Sequence, residues 1–360
     1  MADRIKDLNR HSYSRSTLTL VVVVAPSQCC AQSQRARCPS AGTAPCATPP
    51  GMTGCGGIML SVTCKIRLSA AGVHLFDRVS GVNVLLDEIL VPAAQFSRAP
   101  RYLSVALTNA CELRCAYCYA PKHAAALDRE RVLAWAIELD AAGCLGVGFG
   151  GGEPTAYRRF AQLCADIAQS TSMAVTFTTH GHRLTPELIE SLRGAVHFVR
   201  LSVDGVGATY ERLRGRPFAA VVQAAALLGS LAPFGINAVI NADTVDELDD
   251  LAEFADKVGA SELLLLPEQP TAATPGISDA HAQHLVEWAA SAKNGVRLAI
   301  SRTGLEAALP TTTAVPGEHP LDAHMHVDAA GVLRPHAYAP TGLPVGSSIM
   351  EAVQALREAR

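Results

Sequence analysis

Hydrophobic residues follow a repeating pattern between positions 102 and 267. Short runs of valine, leucine and isoleucine, typical of strands covered on both faces, alternate with longer stretches in which apolar residues recur at helical spacing. Six such units in series predict an α/β fold whose parallel sheet closes partly into a TIM-like (β/α)6 barrel. The predicted strands are residues 102–107, 145–149, 174–179, 198–203, 237–241 and 262–266. The predicted helices between them are residues 128–142, 157–170, 186–192, 218–231 and 245–258.

Shorter elements are expected on both sides of this barrel core, which we assign to residues 99–270. Residues 59–98 contain four brief β-type runs and predict an N-terminal β-hairpin element, which either pairs with an extended peptide or covers the barrel bottom. Residues 271–360 predict a small α+β extension. The runs before the barrel are 65–68, 73–76, 82–86 and 89–91, and the elements after it are a helix near 279–293, a hairpin at 326–336 and a helix at 348–360.

The first 58 residues are a different kind of sequence. No acidic residue lies between Asp7 and Asp77, and residues 25–57 are rich in proline, serine and glycine without any periodicity. The apolar run at 18–25 is short for a signal peptide and no typical cleavage pattern follows it. We therefore expect a disordered leader, or a true start at Met52 or Met59.

Composition narrows the possible functions. The 360 residues carry 30 lysines and arginines against 33 acidic residues, and this slightly negative balance argues against a nucleic-acid partner. No apolar run approaches the roughly 20 residues that cross a bilayer, so we expect a cytoplasmic protein without a membrane partner. The hydrophobic fraction of 49% is enough to build a large core.

Three of the eleven cysteines, Cys111, Cys115 and Cys118, lie within eight residues directly after the first barrel strand. The odd total and uneven spread of cysteines argue against a disulfide framework. A structural zinc site and an iron–sulfur cube both normally take four protein ligands, so three thiolates leave one iron of a cube open to a small molecule. A structural zinc site or three unrelated buried thiols remain alternatives on spacing alone.

The spacing of Cys111, Cys115 and Cys118, with Tyr117 before the last cysteine, resembles the signature of the radical S-adenosylmethionine (SAM) enzymes. Further similarities to that family follow at successive strand ends, over about residues 102–267. These are Gly151-Gly152-Glu153-Pro154 after the second strand, Thr179-His180-Gly181 after the third, Ser202-Val203-Asp204-Gly205 after the fourth, Asn241 after the fifth, and Leu266-Pro267 at the sixth.

This resemblance implies the cofactors and the type of chemistry. In the family, three cysteines hold a [4Fe–4S] cluster whose fourth iron binds SAM. By resemblance, Cys111, Cys115 and Cys118 would be these cysteines. One electron, supplied by a partner such as flavodoxin or ferredoxin, splits SAM into methionine and a 5′-deoxyadenosyl radical that abstracts hydrogen from the substrate. The resemblance does not identify a catalytic residue beyond the cofactors.

The same resemblance implies a set of SAM contacts. Glu153 would accept from the ammonium group, Arg214 would pair with the carboxylate, and Ser202 and Asp204 would bind the ribose. His180 departs from the family, where asparagine is common at that position. The full expected set is Tyr117, Gly151, Gly152, Glu153, Thr179, His180, Ser202, Asp204, Arg214, Asn241 and Leu266.

The order of elements after residue 270 resembles the SPASM or twitch extension of peptide-modifying radical SAM enzymes. The cysteines that bind auxiliary clusters there are missing, and His336 stands where one is expected, so we expect no auxiliary cluster. His324, His326 and His336 are a possible metal set, although hairpin or core histidines are commoner. The resemblance favours a peptide or natural-product precursor as substrate. The alternatives are a radical SAM enzyme with a small sugar-like or nucleoside-like substrate, and a non-catalytic iron–sulfur redox sensor or binding protein.

Overall fold

The computed structural model describes residues 17–23, 59–291, 295–301, 315 and 317–359. The chain divides into two compact units, Met1–Cys64 and Lys65–Arg360. The described part of the first unit contains strand β1 (Thr17–Val23) and the beginning of β2 (Met59–Ser69), which are neighbours in one sheet. Most of the predicted leader, including Met52, lies outside the described residues.

The second unit begins with an antiparallel sheet formed by the rest of β2, β3 (Gly72–Phe76) and β4 (Asn83–Leu86). Gly72 makes the tight turn after β2, since its φ is +119° and a Cβ there would lie 2.2 Å from the Leu86 carbonyl oxygen. The strand predicted at residues 89–91 is wrong, because the chain turns after Leu86 and leaves the sheet. Leu90 is consequently 93% exposed.

A larger sheet forms the centre of the second unit. Its strands are β5 (Tyr102–Thr108), β6 (Gly146–Gly151), β7 (Ala174–Thr179), β8 (Phe198–Ser202), β9 (Phe234–Ile240), β10 (Glu262–Pro267), β11 (Arg297–Ile300), β12 (His324–Val327), β13 (Val332–Arg334) and β14 (Leu343–Pro344). The six strands β5 to β10 are parallel and lie in chain order, as the sequence predicts. The described sheet runs from β11 to β14 without closing, so the predicted partial barrel is confirmed.

Helices connect these strands and cover the sheet. They are α1 (Arg129–Ala141), α2 (Phe160–Ser170), α3 (Pro186–Leu192), α4 (Ala208–Arg214), α5 (Phe218–Gly229), α6 (Leu248–Lys257), α7 (Asp279–Ser291), α8 (Pro320–Ala323) and α9 (Ile349–Glu358). The five helices predicted within the barrel are all present. Helix α4 was not predicted, because only Tyr210 among its seven residues is buried and no apolar stripe marks it. No helix in the described parts of the chain is long and apolar enough to cross a membrane.

The core lies between the strands and the inner faces of the helices. Phe149 of β6, Phe160 of α2 and Phe177 of β7 are almost completely buried, and their rings meet edge to face at centroid distances of 6.2 and 5.2 Å. Burying a phenylalanine side chain stabilises a fold by about 1.5–3 kcal/mol. This packing makes the sheet a rigid support for the loops at its carboxyl edge.

The C-terminal segment contributes to the same sheet. The predicted hairpin is confirmed, because β12 and β13 are antiparallel with His326 opposite Arg334. Strand β12 also pairs in parallel with β5, which the sequence did not suggest. The Glu138 carboxylate of α1 accepts hydrogen bonds from the Ile349 and Met350 amides (3.0 and 3.3 Å), which satisfies two free donors at the start of α9.

Candidate active site

The loops that follow β5 to β9 bring most of the predicted site residues to one edge of the sheet. In parallel sheets the carboxyl ends of all strands meet at the same edge, and binding sites form there. The loop after β5 carries the three cysteines. The loops after β6 and β7 carry Glu153 and His180, and the segment after β8 carries Asp204.

Cys111, Cys115 and Cys118 are free thiols in one tight loop. The Cys118 amide donates to the Cys115 carbonyl oxygen (3.2 Å), and the Leu113 amide donates to Cys111 Sγ (3.4 Å). Cys115 is buried and the other two are half-buried, in an apolar cluster with Leu113. Burial raises the pKa of the Cys111 thiol, which favours its neutral form in the absence of a bound cation.

The two glycines after β6 allow its turn to lie directly against the cysteine loop. Gly151 has a φ of +114°, and a Cβ on Gly152 would lie only 2.2 Å from the Ala110 carbonyl oxygen. The amides of Gly152 and Glu153 donate to the carbonyl oxygens of Thr108 and Ala110 (2.6 and 2.7 Å). These amides are used within the protein, so the glycines serve the site by permitting this close approach.

Glu153 is the centre of the first polar group. It is 1% exposed, and its Oε1 accepts from the amide and hydroxyl of Thr155 (3.1 and 2.6 Å) and from the Thr179 hydroxyl (2.8 Å). Its Oε2 accepts from the His180 amide (3.0 Å). The loops after β6 and β7 are therefore tied together through one carboxylate.

His180 lies between two carboxylates. Its Nδ1 accepts from the His182 amide (3.1 Å), which assigns the ring proton to Nε2. This Nε2 is 3.3 Å from Glu153 Oε2 and 3.4 Å from Glu112 Oε2, yet no hydrogen bond of acceptable geometry reaches it within the described structure. Cys111, Glu112 and His180 also offer ligand atoms within 4.8 Å of one another, so the first polar group adjoins the thiols.

Asp204 is the centre of the second polar group. It is 1% exposed, and its Oδ2 accepts from the Tyr117 hydroxyl and from Arg214 Nη2, both at 2.5 Å. Its Oδ1 accepts from the Val239 amide of β9 (2.8 Å). Burial by itself lowers the pKa of Arg214, but the Asp204 charge outweighs burial and raises that pKa above its ordinary value. Arg214 is thus a permanent cation, and its Nε has no hydrogen-bond partner among the residues described.

The cysteine loop joins the two polar groups, since Glu112 lies beside His180 and Tyr117 donates to Asp204. Ser202, Asn241 and Leu266 lie further along the edge. Ser202 ends β8, and Leu266 pairs with Val239 between β10 and β9. The Asn241 side-chain oxygen accepts from the Asp243 amide (2.9 Å), so it shapes its own loop.

Sequence reasoning missed a second histidine and a tyrosine next to the first polar group. His182 Nε2 and the buried Tyr210 hydroxyl are hydrogen-bonded at 2.8 Å, and the His180 and His182 rings lie 5.1 Å apart. Burial, followed by the charges of His180 and Arg216, lowers the pKa of His182 to about 4. The His-x-His spacing at the end of β7 was the available signal.

The histidines of the C-terminal hairpin are not brought together as a metal set. His326 is buried, and its Nδ1 is hydrogen-bonded to the Ser104 hydroxyl at 2.7 Å. Among the residues described, no group of three potential ligands includes His324, His326 or His336.

The donor chemistry fits the cofactors that the sequence implies. Three free thiols in one loop leave one corner of a cube without a protein ligand. Beside them stand buried Arg214, with an N–H that the described structure leaves without a hydrogen bond, and the buried carboxylate of Glu153. The arginine donor suits the carboxylate of a ligand, and the Glu153 carboxylate suits its amine.

Comparison with known proteins points to the same family. Residues 105–255 match the radical SAM superfamily. The chain is similar to mycofactocin maturase MftC of Mycolicibacterium smegmatis (33% identity over 181 residues, 46% of this chain and 45% of that protein). It is also similar to the sporulation killing factor maturation protein SkfB of Bacillus subtilis (30% identity over 204 residues, 54% and 48% covered). The chain spans about half the length of the curated relatives that it matches.

A solved structure shares the fold over most of the chain. Streptococcus suis SuiB bound to its precursor peptide SuiA superimposes with a TM-score of 0.62 at 13% identity, covering 80% of this chain and 86% of SuiB. The superfamily uses a [4Fe–4S] cluster together with SAM. The motifs on successive strand ends of a partial barrel and the match of residues 105–255 together support a radical SAM domain in this part of the chain.

Proposed function

We propose that this chain is a radical SAM enzyme that abstracts a hydrogen atom from a peptide precursor and thereby modifies it. The observation that carries the proposal is the arrangement of three free thiols between two buried polar groups, one anionic around Glu153 and one containing the Arg214 cation. When bound and reduced, the cluster supplies the electron that splits SAM and generates the hydrogen-abstracting radical.

The roles of the protein residues follow from their contacts. Cys111, Cys115 and Cys118 hold three corners of the cluster. Asp204 fixes Arg214 through its Nη2, which leaves Nε free to bind the SAM carboxylate. Glu153, held by Thr179, presents negative charge toward the SAM ammonium group.

Other predicted contacts complete the cradle. Tyr117 packs with the cysteines and covers the adenine, while His180 replaces the usual asparagine and orients Glu153 through its backbone amide. Gly151 and Gly152 keep the turn close to the thiols. Ser202, Asn241 and Leu266 line the remainder of the edge.

A peptide substrate is supported by the names of the relatives. MftC is called a maturase, SkfB is called a maturation protein, and SuiB was solved with a precursor peptide. We further propose a cytoplasmic location. We also propose that flavodoxin or ferredoxin reduces the cluster, because the half-exposed Cys111 and Cys118 would leave one side of it open to an electron donor. The barrel core at 99–270, with elements at 59–98 and 271–360, is the domain division that we propose.

The test is anaerobic reconstitution of the full chain with iron and sulfide, followed by dithionite and SAM. We expect 5′-deoxyadenosine to form even without substrate. Replacing Cys111, Cys115 and Cys118 together with alanine should remove the bound iron, the broad absorbance near ~400 nm and the product. Cys164→Ala, a buried cysteine of α2, is the matched control and should keep its iron. Bound iron without any 5′-deoxyadenosine would contradict the proposal and favour the redox sensor.

A further inference from the structure

A hydrogen bond that none of the roles above uses connects the loop after β7 with helix α4. The Tyr210 hydroxyl and His182 Nε2 lie 2.8 Å apart. Tyr210 is fully buried, is the single buried residue of α4, and packs its ring on Phe218 at a centroid distance of 5.6 Å. Because so short a helix has little stability of its own, Tyr210 is the buried anchor that fixes its position.

The burial of Tyr210 determines the direction of this bond. Within the described structure the hydroxyl has no partner besides His182, and a buried hydroxyl must donate its hydrogen to an acceptor. Tyr210 therefore donates to His182 Nε2, which places the ring proton of His182 on Nδ1. Since burial lowers the pKa of His182 to about 4, the ring is neutral at pH 7 and Nε2 remains an acceptor.

Each end of this bond is tied to one of the two polar groups of the site. On the first side, the His182 amide donates to His180 Nδ1 (3.1 Å), and the His180 amide donates to Glu153 Oε2 (3.0 Å). On the second side, Arg214 lies four residues after Tyr210, so both side chains leave the same face of α4 one turn apart. The bond thus connects the Glu153 carboxylate with the Arg214 guanidinium.

We propose that the hydrogen bond between His182 and Tyr210 sets the separation of Glu153 and Arg214, and thereby fits the site to a ligand with an α-amino acid group. The ammonium and carboxylate of such a group are attached to one carbon, so their spacing is fixed. A misplacement of about 1 Å in a site can cost about a hundredfold in rate. The inference rests on the proposed function and deepens it, because it names what selects the methionine end of SAM.

His182 and Tyr210 are positioning residues in this proposal, since they act through Glu153 and Arg214. Their loss should therefore weaken only the part of the ligand that those two residues bind. A general loosening of the fold would weaken binding of the whole ligand, nucleoside included. This difference makes the proposal measurable.

The experiment uses the full chain with its cluster reconstituted anaerobically and no reductant added. The probes are S-adenosylhomocysteine and 5′-methylthioadenosine, which has the same nucleoside without the amino acid group, and equilibrium dialysis gives both dissociation constants. We expect Tyr210→Phe to weaken binding of S-adenosylhomocysteine about tenfold, equivalent to about 1.4 kcal/mol, and to leave that of 5′-methylthioadenosine unchanged.

The matched control is Tyr157→Phe, which removes another tyrosine hydroxyl with a 2.8 Å hydrogen bond, here to the Leu127 carbonyl oxygen. It should leave both dissociation constants unchanged. The proposal is overturned if Tyr210→Phe weakens both probes equally, or if it weakens neither.

Two substitutions of the half-buried His182 distinguish positioning from direct contact with the ligand. In His182→Gln the longer amide can still accept from Tyr210, so the preference for S-adenosylhomocysteine should be kept. In His182→Asn the shorter amide offers a polar group only near the Nδ1 position, so the preference should fall about tenfold, as in Tyr210→Phe. The reverse result would show that His182 contacts the ligand itself and would overturn the proposal. If Tyr210→Phe does not fold, this pair of variants decides.

A parallel assay of 5′-deoxyadenosine with dithionite and SAM separates this inference from the proposed function. If the wild type forms the product but Tyr210→Phe leaves the preference intact, the positioning role is wrong and the radical chemistry stands. If the wild type forms no product but Tyr210→Phe loses the preference, the positioning role stands and the proposed radical chemistry is wrong.

Discussion

The Asp204→Asn substitution removes the charge that holds Arg214 and Tyr117 in place. The Asp204 and Arg214 side chains are 1% and 11% exposed, so the guanidinium would stay buried without an anionic partner. Removing one partner of a buried pair costs about 3–5 kcal/mol. Because the asparagine oxygen still accepts a hydrogen bond, we expect a loss near the lower end, about 3 kcal/mol, in the free energy of unfolding.

The same helix offers a matched control. Arg212 pairs with Asp243 at 2.7 Å, and these side chains are 56% and 45% exposed. An exposed pair contributes about 0–1 kcal/mol, so Asp243→Asn should hardly change stability.

The assay is anaerobic urea denaturation of the metal-free chain at pH 7, followed by near-ultraviolet circular dichroism. The free energies of unfolding of the wild type and both variants are compared, provided that the three transitions have the same dependence on urea concentration (m-value). If Asp204→Asn and Asp243→Asn lower the free energy of unfolding by the same amount, the argument that burial makes the Asp204–Arg214 pair important for stability is refuted.

Two further predictions concern the cysteine loop and the pH dependence of stability. Gly152→Ala places a Cβ 2.2 Å from the Ala110 carbonyl oxygen and should destabilise the fold by about 1–3 kcal/mol and lower iron incorporation. Gly150→Ala, where no described atom lies within 4 Å of the added Cβ, should do neither; equal iron loss in the two variants would contradict the packing argument. Burial, followed by the charge of Arg78, lowers the pKa of His197 to about 4 in the folded chain. Between about pH 6.5 and pH 4 the unfolded chain therefore binds a proton at His197 that the folded chain does not. The free energy of unfolding consequently falls as the pH drops through this range. His197→Asn can still accept from the Val175 amide (3.1 Å), and it should reduce the difference between urea midpoints at pH 7 and pH 5; an unchanged difference would refute the assignment.

The barrel and the position of its site could be predicted from the sequence. The buried strands of a parallel sheet appear as continuous apolar runs, and their carboxyl ends share one edge. The sequence therefore predicts that the loops carrying Cys111, Glu153 and Asp204 lie at that edge, and the structure confirms it.

The pairwise contacts within the site could not be predicted from the sequence. The sharing of Asp204 by Tyr117 and Arg214 depends on how loops 87 residues apart in sequence come to lie together, and no local pattern encodes this. The parallel pairing of β12 with β5 could not be predicted for the same reason, because its paired residues are 222 positions apart in sequence. The short run at residues 89–91 had strand composition but no partner strand, and tertiary context decided against it.

Electron paramagnetic resonance of the dithionite-reduced, reconstituted chain, recorded with and without SAM and combined with iron analysis, tests the central claim most directly. We expect about four irons per chain and a cluster spectrum that changes when SAM is added, because one iron has no protein ligand. Bound zinc instead of iron, or an iron–sulfur spectrum that SAM leaves unchanged, would contradict the assignment of Cys111, Cys115 and Cys118 as a three-ligand site.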